Sequence, residues 1–310
     1  MTGEFAALSG ALAWAVASIM FAEIGKKVSA INLNLIKGLV AIILMILILL
    51  LMSAANAESG MQQLFMIPTQ SLIILVISGI IGIGIGDTAY FGCLRRIGPQ
   101  KGLMLESTAP VMAALLAMVL FQEFLSAISW AGVLMTTSGV ILVVKFTGSP
   151  AIYHNSFNGI LLGVAAAMAQ AAGIVLSRMV LAGGGIDPLV TSLIRLSSGL
   201  LALIIWLLVR QVWTNHSKEP QSMLAALKII YSERLLNTMF GAIFIGTVCA
   251  LWLQQLAVVH TSAGIAQTLL GACPLFGMLI GWVLHGQRQP RSVWGGLLFG
   301  FCGISLIFLA

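Results

Sequence analysis

Ten long apolar blocks recur along the chain, at about 5–22, 33–53, 71–92, 102–121, 127–146, 159–181, 188–209, 236–258, 262–284 and 292–310. Roughly 20 apolar residues in a helix cross the hydrocarbon of a bilayer. Each block is therefore predicted to be one transmembrane helix. The stretch IIGIGIGDTAYFGC (80–93) alternates glycine and isoleucine with a strand-like period of two. It sits inside a block too long for a strand, however, and an open strand would leave its backbone unpaired in lipid. The first block has no basic flank and no small-residue cleavage site, so it reads as a retained span rather than a leader. Connections are short except at 54–70, 147–158 and 210–235. The last contains MLAALKIIYSERL, which fits an amphipathic interfacial helix or a solvated loop equally.

Composition turns this pattern into a class. Of 310 residues, 60% are hydrophobic and 8% charged, against about 25% charged in soluble domains. The expectation is an all-α integral membrane protein with the lipid bilayer as its partner. The net charge of +6 lies in loops and forms no nucleic-acid patch. Cys93, Cys249, Cys273 and Cys302 fall in or beside spans without a CxxC pair and read as buried small apolar residues, not disulfides or metal ligands. The four histidines (154, 216, 260, 285) are dispersed, so neither metal nor cofactor is expected. Lys26, Lys27, Arg95, Arg96, Lys101, Lys145, Arg210, Lys218, Lys228, Arg234, Arg288 and Arg291 flank the connections after odd-numbered spans, and only Arg178 flanks one after an even-numbered span. Twelve cations against one place the odd connections in the cytoplasm and both termini outside.

The chain also repeats itself. At an offset of 164, Gly82 meets Gly246, Pro110 meets Pro274, Trp130 meets Trp294, Gly132 meets Gly296 and Gly139 meets Gly303. With a changed loop length, LIK (35–37) answers LIR (193–195). This predicts two halves of five spans, 1–146 and 159–310. Five is odd, so the second half enters the membrane inverted. The cations agree: RRIGPQK in the first half answers VVHTSAG, and QEFLSA answers GQRQPR. Inverted repeats mark secondary transporters, with the site at the repeat interface.

Trp14, LIK and the stretch 109–142, with Pro110, Glu123, Gly132 and Gly139, resemble the EamA family of the drug/metabolite transporter superfamily. The second copy supplies Pro274, Gly296 and Gly303, with Gln287 where glutamate is usual. The resemblance implies a basket of ten helices around a central cavity and efflux of amino acids or other small metabolites. It also implies a bacterial inner membrane and termini in the cytoplasm, the opposite of the charge count. Monomer and homodimer stay open.

Candidate chemistry lies in the few polar residues inside spans. A charge at the bilayer centre costs about 2.5–3.5 kcal/mol. Asp87, Lys37 and Glu106 each lie about 7 Å deep, counted at 1.5 Å per residue, and connectivity puts all three near the cation-rich side. They fit a cluster lining one end of the cavity, with a carboxylate coupling protons to substrate. The alternatives are an ion pair that only holds helices together and a lysine snorkelling to the interface. Arg195 suits a substrate carboxylate or backbone carbonyls, while Gln254, Gln255 and Gln267 supply amides near the opposite side. Trp14 and Tyr90 offer ring faces to a ligand or to packing. Pro110 and Pro274 predict mid-helix kinks that free the carbonyls of Glu106 and Leu270, as a gate or a bend. Ser78, Gly82 and Gly86 predict a close-packing face, and Gly84 a thin wall beside Asp87.

Two other classes compete. GIGD (84–87) matches the GxGD of intramembrane aspartyl proteases, which need a second carboxylate; Asp187 is the other aspartate. A non-transporting membrane sensor or assembly subunit is the third. No GxxxxGK[ST] loop occurs, so transport would be driven by gradients or an external motor.

Overall fold

The computed structural model describes residues 1–54, 60–97, 99–147, 156–213, 223–285 and 290–310. Ten helical spans are long and apolar enough to cross a membrane: Thr2–Gly25, Ile31–Ala54, Thr69–Leu94, Lys101–Phe121, Ala127–Phe146, Phe157–Leu181, Pro188–Val209, Leu236–His260, Ala263–Val283 and Arg291–Leu309. They are called spans one to ten below. The chain is thus an integral membrane protein, all-α among its described residues. Two connections carry helices of their own, Gly60–Met66 and Met223–Ser232. The latter settles the ambiguity of MLAALKIIYSERL for helix. Ala226 and Ile230 are buried against the protein, while Leu224 and Tyr231 stay exposed. The expected join of the halves, His154, His216, Lys218 and Gln287 lie wholly or mostly outside the described residues.

Four spans are interrupted, in two matched pairs. Span three carries a π-helical stretch, Ile80–Ile85, and span eight another, Phe244–Cys249. Span four breaks between the helices Pro99–Glu106 and Ala109–Phe121, and span nine between Ala263–Leu270 and Cys273–His285. Both pairs of breaks are 164 residues apart, the same offset as the glycines and prolines. The expectation of proline kinks needs correction. Pro110 and Pro274 do not bend a continuous helix: each is the second residue of a new one, where its missing N–H is no loss. The π stretches were not foreseen, since apolar periodicity does not distinguish a π turn from an α turn.

Lipid tails are as apolar as leucine, so spans associate through close packing of small residues. Spans five and ten show this most fully. A Cβ on Gly132 would lie 2.9 Å from the Gly303 carbonyl oxygen, and one on Gly139 2.8 Å from that of Gly296. The Thr136 hydroxyl donates to the Gly300 carbonyl at 3.5 Å between them. Contacts that pair 132 with 303 and 139 with 296 make the two spans antiparallel. In span three the face expected from Ser78, Gly82 and Gly86 lies on span six: Ser78 donates to the Gly173 carbonyl at 2.6 Å, and Gly86 backs onto Ala169. Gly84 does not thin a wall beside Asp87. It abuts Ala202 and Gly199 of span seven, because the π stretch turns it there.

The apolar core divides in two. One cluster joins spans one, four, five, six, eight, nine and ten. The other joins spans one, two, three, six, seven and eight with the helix Met223–Ser232.

Gly139→Ala should lower the melting temperature in detergent, since overpacking costs about 1–3 kcal/mol. Gly295→Ala, on the same pair of spans but with nothing within 4 Å of its Cβ position, should leave it unchanged or raise it. Equal effects would contradict the packing described.

Candidate functional site

Lys37 and Asn34 lie three apart in span two, and Asp87 and Tyr90 three apart in span three just past the π stretch. Residues at that spacing share a helix face. The π stretch widens the turn, which rotates everything after it relative to an uninterrupted α-helix. That rotation helps set where Asp87 and Tyr90 point. Glu106 is the last residue before the break in span four.

These side chains converge from three spans. The Asn34 amide donates to the Asp87 carboxylate, and the Lys37 ammonium lies close enough to Asp87 to attract it. The Tyr90 hydroxyl donates to Glu106, with Asp87 near enough to repel. The Lys37 ammonium also sits 5.5 Å from the Trp14 ring and 6.0 Å from the Phe21 ring, a cation–π arrangement. The Cys93 thiol and the Cys273 thiol of span nine flank Glu106 electrostatically. Lys37, Asp87, Tyr90 and Glu106 are all only partly buried.

The predicted trio of Lys37, Asp87 and Glu106 is therefore brought together, and Lys37 turns inward rather than snorkelling. Tyr90 contributes its hydroxyl as well as a ring. Asn34 and Phe21 were missed, although the polar asparagine in LNLIK was a visible signal.

The opposite end is tighter. Arg195 is 3% exposed and Gln255 0%. The Ser177 hydroxyl donates to the Gln255 side-chain oxygen, and Gln255 donates to Gln254 at 3.4 Å. The Gln267 side-chain oxygen is buried without a partner. Nearer the surface, Arg178 pairs with Glu123 at 3.2 Å and donates to the carbonyls of Val258 and Val259 at 2.8 and 3.0 Å. One guanidinium thus ties the ends of spans four, six and eight. Sequence reading treated Arg178 as a loop cation and missed this.

Asp187 caps span seven by accepting from the Leu189 N–H at 2.6 Å, at the opposite end from Asp87. Among the described residues no group of three or more His, Cys, Asp or Glu could hold a metal ion. Cys93 is buried, Cys249 and Cys273 are half-buried, and Cys302 is exposed, contrary to its reading as buried. A surface cleft of about 430 Å³, lined by Tyr231, Arg234 and Asn237 among others, lies apart from the cluster.

The model of the EamA-like transporter family matches residues 1–145 and again 157–309. The chain belongs to the EamA-like transporter family. A crystal structure described only as that of a protein shares the fold, with a TM-score of 0.73 at 17% identity over 99% of this chain and 96% of that one. Among curated proteins none matches. The glutamate of the EamA pattern, Glu123, is the carboxylate that holds Arg178, and the pattern's glycines 132 and 139 are those buried against span ten.

Lys37→Met should lower stability by more than about 1 kcal/mol, because it leaves Asp87 without its cation. The double variant Lys37→Met/Asp87→Asn should recover most of the loss. Additive losses in thermal unfolding would show that the two groups do not interact.

Proposed function

We propose that this EamA-family chain is a secondary exporter of a small polar metabolite, proton-coupled through Asp87 and Glu106, acting in a bacterial inner membrane. The observation that carries this reading is the convergence of Lys37, Asp87, Tyr90 and Glu106 from three spans beside Trp14 of a fourth. Coupling needs carboxylates deep enough to feel the bilayer and open enough to exchange protons, and Asp87 and Glu106 fit both requirements.

The halves 1–146 and 159–310 act as inverted repeats that alternate access. Support comes from the breaks spaced by 164 residues, from the antiparallel contact of spans five and ten about Thr136 and Gly300, and from the family match to each stretch. The side rich in cations is the cytoplasmic one. The cluster then loads from the cytoplasm, while Arg178 and Glu123 close the far end. Asp187 serves as a helix cap at the wrong end for an aspartyl dyad, which favours transport over proteolysis.

Proteoliposome counterflow with a metabolite panel across a pH gradient tests this. At least one compound should exchange, with export faster when the exterior is acidic. Asp87→Asn and Glu106→Gln should each abolish the pH effect. A flat response to every compound from folded protein would contradict transport, and an unchanged pH profile in both variants would contradict coupling.

A further inference from the structure

We propose that Arg195 docks an anionic group of the transported molecule, a carboxylate or similar oxyanion, a role that rests on the transport reading above. Arg195 is 3% exposed, its Nε is without a hydrogen-bond partner, and it takes part in none of the ion pairs found among the described residues. A terminal nitrogen lies 3.5 Å from the Cβ position of Gly82, so a glycine in the π stretch of span three makes room for the guanidinium. One turn earlier on the same face, Thr191 is fully buried with an unpartnered hydroxyl. Both side chains are hydrogen-bond donors. An oxyanion accepts from donors, and the guanidinium fork suits one in particular.

The repeat shows what Arg195 lacks at the position that answers Asp87. Arg195 in LIR answers Lys37 in LIK, and Leu251 answers Asp87. In the first half Asn34 donates to the Asp87 side chain. At the corresponding junction in the second half Ser192 donates to the Leu251 backbone carbonyl at 3.0 Å. The two junctions are built alike, but the second keeps the cation and has leucine for the carboxylate. An uncompensated cation at this depth is costly. It is useful if the cargo supplies the charge that Asp87 supplies to Lys37.

The test is transport in proteoliposomes of small carboxylates, each paired with its uncharged amide: acetate with acetamide, lactate with lactamide, succinate with succinamide. Wild type should favour at least one carboxylate over its amide. Arg195→Gln should lose that preference, with the carboxylate KM rising roughly tenfold or more, as a charge-assisted hydrogen bond implies. Arg195→Lys should keep part of it. Leu251→Asp, which gives Arg195 an internal partner, should raise the melting temperature and weaken carboxylate uptake. Wild type that moves amides as well as carboxylates, or Arg195→Gln that keeps the preference, overturns the docking role and leaves transport standing. Wild type that moves none of the panel, in counterflow that does detect another compound, also overturns it. Failure of all counterflow removes the transport reading as well.

Discussion

Inside the hydrocarbon no water is at hand, so each polar group of a span must find its partner in the protein or in what the protein carries. That constraint orders most of what the structure contains. Where span four breaks, at 107–108, hydroxyls take up local carbonyls, as Thr108 does with Leu105 at 2.6 Å and Ser107 with Leu103 at 2.7 Å. Where a carboxylate enters the first half, an asparagine, a lysine or a tyrosine meets it. Where a cation approaches the far surface, Arg178 gathers one carboxylate and two carbonyls. Among the described residues Arg195, Thr191 and Gln267 are places where this settlement stops short.

Close packing serves the same end. Glycines let spans five and ten, and three with six and seven, approach nearly backbone to backbone, giving firm contacts where hydrophobicity offers no force between helices. Spans five and ten then form a close-packed seam, while the interrupted spans three, four, eight and nine carry Asp87, Glu106, Gln255 and Gln267. Broken helices are suited to movement because their breaks already have unsatisfied or locally satisfied backbone. A fixed seam and segmented walls are the parts that alternating access requires.

Much of this was legible in the sequence. Hydropathy gave the ten spans to within a few residues, because burial in lipid demands an unbroken apolar run. Parity of the spans placed Lys37, Asp87 and Glu106 at one end without any knowledge of contacts. The interruptions were only half legible. Proline announced a disturbance at 110 and 274, but whether a helix bends or stops depends on neighbouring partners that sequence does not list. The π stretches left no trace beyond GIGIG, since a wider turn changes no residue type. The Arg178–Glu123 pair was hidden because its members lie 55 residues apart on different spans, and Tyr90 was read for its ring because its hydroxyl partner lies on another span. Gly84 was misassigned because an α-helical wheel fails across a π turn.

The transport reading proposed above requires the polar groups to border a wet path open at the cation-rich end and shut at the other. Thiol accessibility in a cysteine-free background tests it most directly, using a membrane-impermeant maleimide applied from either side. Asn34→Cys should react from the cation-rich side, and Thr191→Cys should resist from both sides until Arg178→Ala releases the far end. Reaction of Asn34→Cys only with lipid-soluble reagents, or equal reaction of both cysteines without Arg178→Ala, would contradict the account.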